Sequence, residues 1–207
     1  MAKTKNCPAC GAPLDIKNRF VKMVTCEFCG SVILVHDEGL DPTGRTSKMV
    51  ELPSMLYVDA SGTLWGKAFQ VLGRLRYQSE SAYWDEWFLT FENGEQPGWL
   101  VEDEGNFTFF NKKTLTGNIP PFESVAAGKT VSIAGRNVFV TEKGVARIAG
   151  GEGQLAFNIL PGEVIKYLDG SSGDDLISVE YTENEIELAV GRAVDRADIS
   201  VDEEDYW

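Results

Sequence analysis

Tyr83-Trp84-Asp85-Glu86-Trp87-Phe88-Leu89-Thr90-Phe91 reads as a β-strand, and the expected fold is built outward from it. Trp87, Leu89 and Phe91 point to one face while Phe88 and Thr90 point to the other, the period of two that a pleated strand imposes. Aromatic side chains bury the most apolar area per residue, so a strand loaded with them predicts the centre of a core. Asn93-Gly94 follows, and both residues tolerate positive φ, which predicts a tight reversal. Strands are expected on either side, from Phe69 to Tyr77 and from Gly98 to Asp103.

The same period continues through the chain. Phe69, Val71, Leu75 and Tyr77 are expected on one face against Gln70, Arg74 and Arg76, and Phe107 and Phe109 extend the pattern. Short strands follow at Val131–Ile133 and Val138–Val140, then at 164–168, 176–181 and 185–190, with Asp169-Gly170-Ser171-Ser172-Gly173 read as a turn. Ile186, Leu188 and Val190 are expected to face inward, and Glu185 and Glu187 to face water. One-sided strands joined by glycine and asparagine turns predict a mainly β chain, with an antiparallel β sandwich or barrel-like body. Two related halves are one reading of that body. Gly66-Lys67-Ala68-Phe69 and Gly135-Arg136-Asn137-Val138 each follow a short strand and open another with a glycine, a base and alternating apolar residues.

All four cysteines lie at the N-terminus, in Cys7-Pro8-Ala9-Cys10-Gly11 and Cys26-Glu27-Phe28-Cys29-Gly30. Each C-x-x-C-G turn presents two thiolates on one side of a bend, and the trailing glycine lets the backbone fold beneath them. Two such turns supply the four ligands of a structural Zn²⁺, and the spacing predicts a zinc ribbon. Four protein ligands leave no place for a reacting water, so this metal is expected to be structural. His36, the single histidine, is expected at an exposed strand end.

Charge divides the chain. Through Lys48 there are seven basic and five acidic residues, and from Met49 onward twelve and twenty-seven. An acidic body repels phosphate backbones and anionic membranes, which favours a protein partner with a basic face, or a cation. No apolar run approaches the roughly 18 residues of a spanning helix. The first residues also lack the apolar core of a secretory signal, so a cytoplasmic protein without membrane insertion is expected. The expected organisation is a zinc ribbon over 1–36, a linker over 37–53, an antiparallel β body over 54–193 and an acidic tail over 194–207.

The order Gly66-x-x-Phe69, Val71-x-Gly73-Arg74-x-x-Tyr77, Trp84-Asp85-Glu86-Trp87 and Gly98-Trp99-Leu100 resembles the bacterial domain-of-unknown-function family 4178. Members of that family commonly carry a preceding C-x-x-C ribbon. The resemblance implies an accessory, non-enzymatic protein, and gene neighbours of the family suggest an envelope-stress or polyamine-linked setting. It supplies no catalytic residues.

The remaining candidates each have a plain reading beside the functional one. Asp85-Glu86 and Glu102-Asp103-Glu104 are the solvated edge of a hairpin, or else Glu86 and Glu102 share a rim that takes a polyamine or a metal cation. Trp84 packs beneath a loop, or stacks on a cationic amine. The tail ending in Tyr206 and Trp207 is a solubilising terminus, or a short segment that docks in a basic groove. Lys17, Arg19 and Lys22 surround Phe20 in a small basic patch, the basis of the alternative reading as a nucleic-acid-binding ribbon regulated by the acidic domain.

Overall fold

A computed structural model describes residues 3–92, 95–183 and 185–202. The N-terminal part comprises β1 (Lys3–Asn6), β2 (Pro13–Ile16), β3 (Met23–Thr25), β4 (Ser31–Val35) and β5 (Leu40–Thr46). The first half of the body comprises β6 (Ser61–Leu64), β7 (Lys67–Gln78), β8 (Tyr83–Phe91), β9 (Gly98–Asp103) and β10 (Asn106–Lys113). The second comprises β11 (Thr130–Ile133), β12 (Arg136–Leu155), β13 (Val164–Ser172), β14 (Asp175–Tyr181) and β15 (Ile186–Val194), followed by β16 (Ile199–Val201). Among the described residues no helix is long and apolar enough to cross a membrane.

The choice between sandwich and barrel resolves to a barrel. β7 pairs antiparallel with β12 (Leu75 opposite Gly151, Tyr77 opposite Ile148), and β10 pairs with β15 (Phe110 opposite Gly191). The strands therefore run β7-β8-β9-β10-β15-β14-β13-β12 and back to β7, a closed ring of eight. A ring of that size is just wide enough to be filled by side chains or to hold one small ligand. The halves correspond strand for strand. β6 turns into β7 through Trp65 (φ 50°) and Gly66 (φ 74°), and β11 turns into β12 through Ala134 (φ 49°) and Gly135 (φ 80°). Two successive positive φ values are the signature of a type I′ hairpin turn.

Closure gives the sheet an inner and an outer face. Trp87, Leu89 and Phe91 lie on the outer face, in a core with Leu56, Leu64 and Ile199 beneath β6 and β16. Phe88 turns inward with Trp99, Leu75 and Tyr77. The alternation read from β8 thus holds. That of β7 does not: a register shift between Val71 and Gly73 reverses its phase, so Phe69 and Val71 pack outside while Leu75 and Tyr77 pack inside. Gly73 sits at this bulge because a Cβ there would lie 2.6 Å from the carbonyl oxygen of Gln154.

Three other expectations are corrected. Within the stretch 37–53, read as a linker, Leu40–Thr46 is a strand on β4. It was hidden by Pro42, which an edge strand tolerates because its outward side needs no donor. Within the stretch 194–207, read as a tail, Ile199–Val201 pairs with β6 and Ile199 is buried. Asp169 does not belong to a turn, since β13 continues to Ser172 and the reversal falls at Gly173 (φ 63°). Asn93-Gly94, Tyr206 and Trp207 lie outside the described residues.

The ribbon is joined to the barrel by sheet. Val24 and Met23 of β3 pair with Gln154 and Leu155 at the end of β12. Ser47 Oγ accepts from the Gly151 amide (2.8 Å) and Thr25 Oγ1 donates to the Gly151 carbonyl (3.1 Å). Gln154 accepts from the Lys17 amide (2.9 Å) and donates to the Asp15 carbonyl (2.8 Å). One strand of 20 residues therefore serves the hairpin with β11, the barrel wall and the ribbon.

Candidate metal centre and barrel lumen

Each cysteine turn is closed by its own backbone. The Gly11 amide donates to the Cys7 carbonyl (2.8 Å) and the Gly30 amide to the Cys26 carbonyl (2.7 Å). Both glycines hold positive φ, 80° and 72°, as the bend beneath two sulfurs requires. Cys7 Sγ lies 3.9 Å from Cys29 Sγ, and Cys10 Sγ lies 3.8 Å from Cys26 Sγ. All four sulfurs fall within 4.8 Å of one another. Disulfides require a separation of about 2.05 Å, whereas a tetrahedral metal with bonds of about 2.3 Å holds its sulfurs about 3.8 Å apart. The four cysteines therefore form a site that can hold a metal ion. Ser31 lies 3.2 Å from Cys29 Sγ, and its hydroxyl and amide pull the Cys29 thiol down to about 6, whereas burial pushes the Cys26 thiol up.

His36 is exposed, and its side chain lies 3.4 Å from the Asp41 carboxylate. In the basic patch, Lys17 forms an ion pair with Asp59, and the Phe20 ring meets Phe88 edge-on at 6.1 Å. Phe88 faces the barrel interior, so a ribbon residue reaches it only where the ring opens. The ribbon therefore closes one end of the barrel, together with Phe157 from the loop after β12, which packs on Phe88 and Trp99.

Glu86 and Glu102 do not share a rim. Glu86 lies opposite Val101, and Glu102 lies opposite Asp85, which sets the two carboxylates on opposite faces of the wall. Glu102 is outside and accepts from Trp87 Nε1 (2.9 Å) and Ser54 Oγ (2.6 Å), holding the segment before β6 against the barrel. Asp85 is also outside and buried, gripped by Arg76 through Nε (2.7 Å) and Nη2 (2.6 Å).

Glu86 points inward, into a cavity of about 290 Å³ that every barrel strand lines. Trp84 lines it too. It is not an exposed aromatic: its ring stacks on Tyr77 (5.1 Å, 3°) and meets Tyr167 edge-on (5.4 Å). Its Nε1 donates to Glu86 Oε1 (3.1 Å). Tyr167 is braced by donating to Glu142 (2.5 Å). Asp103, Asp169, Glu180 and Glu187 complete the acidic lining, against a single cation, Lys112. Glu187, expected in water, instead pairs with Lys112, whose ammonium lies 3.3 Å from the centre of the Phe157 ring.

Burial raises Glu86, Asp169 and Glu180. Glu86 is pushed up to about 7 and Asp169 to about 6, chiefly because the strands shield them from water. Glu180 is raised well above the carboxylate range by the same shielding, with the Glu86 charge adding to it. A carboxyl whose pKa is higher folded than unfolded is favoured by folding in its protonated form. Its stabilising contribution is full below the unfolded value and is lost as pH rises through the folded one. For Glu86 the window runs from about 4.5 to about 7. Glu86→Gln is therefore expected to raise the thermal midpoint of the protein at pH 8 and to leave it unchanged near pH 4.5. Melting curves at the two pH values test this, and equal effects at both would refute it.

A four-cysteine ribbon continuous in sheet with a closed eight-strand barrel of polar lumen defines the class of the molecule. The chain belongs to the family described as Domain of unknown function (DUF4178), whose match spans residues 58–196, taking in the barrel and leaving the ribbon outside. No curated protein and no solved structure matches the chain.

Proposed function

We propose that this protein is a non-enzymatic, zinc-stabilised adaptor of the cytoplasm that docks on a protein partner. The observation that carries the reading is the sulfur quartet at the root of a ribbon whose sheet runs on into the barrel. Four thiolates at tetrahedral spacing suit zinc and leave no open coordination position, which favours a clamp over a reaction centre. Thiolates remain free to bind metal in a reducing compartment. A formal net charge of −13 favours a partner with a basic face. The family resemblance suggests an envelope-stress or polyamine-linked setting for that partner.

Nucleic-acid binding is the weaker reading, because Lys17 is committed to Asp59 and Phe20 to the barrel. Elemental analysis of the purified protein is expected to find one zinc per chain, and an equimolar content of another metal, or none, refutes the zinc assignment. Docking is tested by capture from host extract with the full chain and with a chain ending at Asp202. The cut falls after β16 because an earlier one would strip a strand from the sheet. A partner bound by the full chain and lost on truncation or in high salt is the expected result. Binding of a generic DNA or RNA probe with a steep salt dependence would favour the other reading.

A further inference from the structure

The lumen departs from what a merely structural interior needs. Eight strands leave an interior that side chains alone can fill, and carboxylates are seldom placed in such an interior unless paired, yet five carboxylates line this one against one ammonium. Lys112 is taken by Glu187, and among the described residues Glu86 accepts a side-chain hydrogen bond only from Trp84. Among the described residues the Glu180 carboxylate has neither a hydrogen bond nor an ion pair. It is enclosed by β13 and β15, with Val179 beside it facing the opposite, outer core. Glu86, Asp169 and Glu180 are half-buried, Asp103 stands open at the mouth, and like charges converging on one concave site mark where a cationic ligand would offset them.

The two halves of the barrel furnish this lining twice. Trp84-x-Glu86 on β8 and Tyr167-x-Asp169 on β13 put an aromatic and an acid on the inner face of equivalent strands. β9 and β14 each add another acid, Asp103 and Glu180. The aromatic rings offer electron-rich faces and apolar walls, which suit an alkylammonium. A divalent metal is disfavoured, because among the described residues three ligand atoms converge only at the cysteines. The cavity of about 290 Å³ lies at the small end of the roughly 300–1,000 Å³ range of ligand pockets.

We infer that the barrel lumen binds a small aliphatic diammonium ion, each half of the barrel holding one ammonium between its aromatic and its carboxylates. Binding is coupled to protons, since the acids that hold the ligand must ionise. The groups facing it are Tyr77 on β7, Glu86 on β8, Asp103 on β9, Lys112 on β10, Tyr167 and Asp169 on β13, Glu180 on β14 and Glu187 on β15. Glu142 of β12 stands behind Tyr167. Affinity therefore strengthens as pH rises through 6 to 7, the range in which Asp169 and Glu86 lose their protons.

Calorimetric titration of the full-length, metal-loaded protein with 1,4-diaminobutane in about 0.15 M salt, a concentration that screens exposed charge, tests the proposal. Saturable one-to-one binding is expected, weakening at least about tenfold in Glu180→Gln and in Glu86→Gln, each verified as folded by circular dichroism. Butane-1,4-diol, the neutral isostere, is expected not to bind. Absence of saturable binding overturns the proposal. So does affinity in both variants unchanged from that of the parent protein, which would place the diamine on the acidic exterior, and so does displacement by millimolar Mg²⁺ or Ca²⁺. Two variants on opposite halves keep the test decisive should one of them fail to fold.

Discussion

Cys26→Ser is expected to unfold the ribbon and loosen the barrel end to which it is attached. The ribbon's own core is small, with Leu14, Val24 and Ile33 around two of the cysteines. Metal binding in comparable small sites is worth about 10–16 kcal/mol, as much as the whole stability of an ordinary domain, about 5–15 kcal/mol. Without the metal, β3 has nothing to hold it in register, and its pairing with Gln154 and Leu155 goes with it. Met23, Val32 and Phe20 then withdraw from the inner core and leave Phe88 and Phe157 facing water. Two measurements check this. Hydrogen exchange is expected to accelerate over 147–155 and hardly at all over β14 or β15, and the barrel's melting transition is expected to fall while persisting. Unaltered exchange in the ribbon of the metal-free variant would show that the cysteines do not hold it up.

The second large effect is expected at Asp85→Ala. Arg76 and Asp85 are 3% and 6% exposed, and Arg74, with a guanidinium nitrogen 3.5 Å from the same carboxylate, is 5% exposed. Removing the acid leaves two cations in a closed space. Arg74 would keep Glu152 (2.8 Å) and the face of Trp87 (4.9 Å), while its Nε already has no partner. Arg76 would keep only the Val50 carbonyl. Breaking a buried pair from one side costs about 3–5 kcal/mol. At roughly 2–4 °C per kcal/mol for a chain of this size, the melting midpoint should fall by about 6–20 °C. The double change Asp85→Leu with Arg76→Met is expected to recover much of that loss, since well-packed apolar replacements of a buried pair are often neutral. A loss below about 1 kcal/mol for the single change would mean that the pair is open to water.

Much of this architecture was legible because local chemistry and tertiary role agree. The C-x-x-C-G turns fix their geometry by covalent structure and a glycine, wherever the rest of the chain goes. The aromatic alternation of β8 survives because its two faces enter two different cores. Strand phase does not by itself distinguish buried from wet in a closed barrel. Glu86, Asp169 and Glu187 alternate with apolar neighbours, as water-facing residues do, yet accessory strands cover the outer surface and the polar face is the enclosed one. Glu102, by contrast, works on the outside as a hydrogen-bond acceptor. The recurrence of Trp84-x-Glu86 as Tyr167-x-Asp169 was the available signal, and it gains meaning only once the halves are aligned. β12 runs far past the short strand expected at Val138–Val140, through Gly144, Gly150, Gly151 and Gly153. In the sheet they are places where another backbone or ring comes close, as Tyr167 does to Gly144.

The pairing of β7 with β12 bears on how the molecule is made. As the chain leaves the ribosome, β7 to β10 can zip up one after another through short hairpins. The part of β7 beyond Gln70 and the outer edge of β10 then stay bare until β12, and finally β15, have been synthesised, because only those strands complete the circle. Nascent chains are therefore most vulnerable to sticking to one another while that half-ring waits. Truncated products ending before about residue 194 should aggregate, whereas the finished circle has no barrel edge to offer.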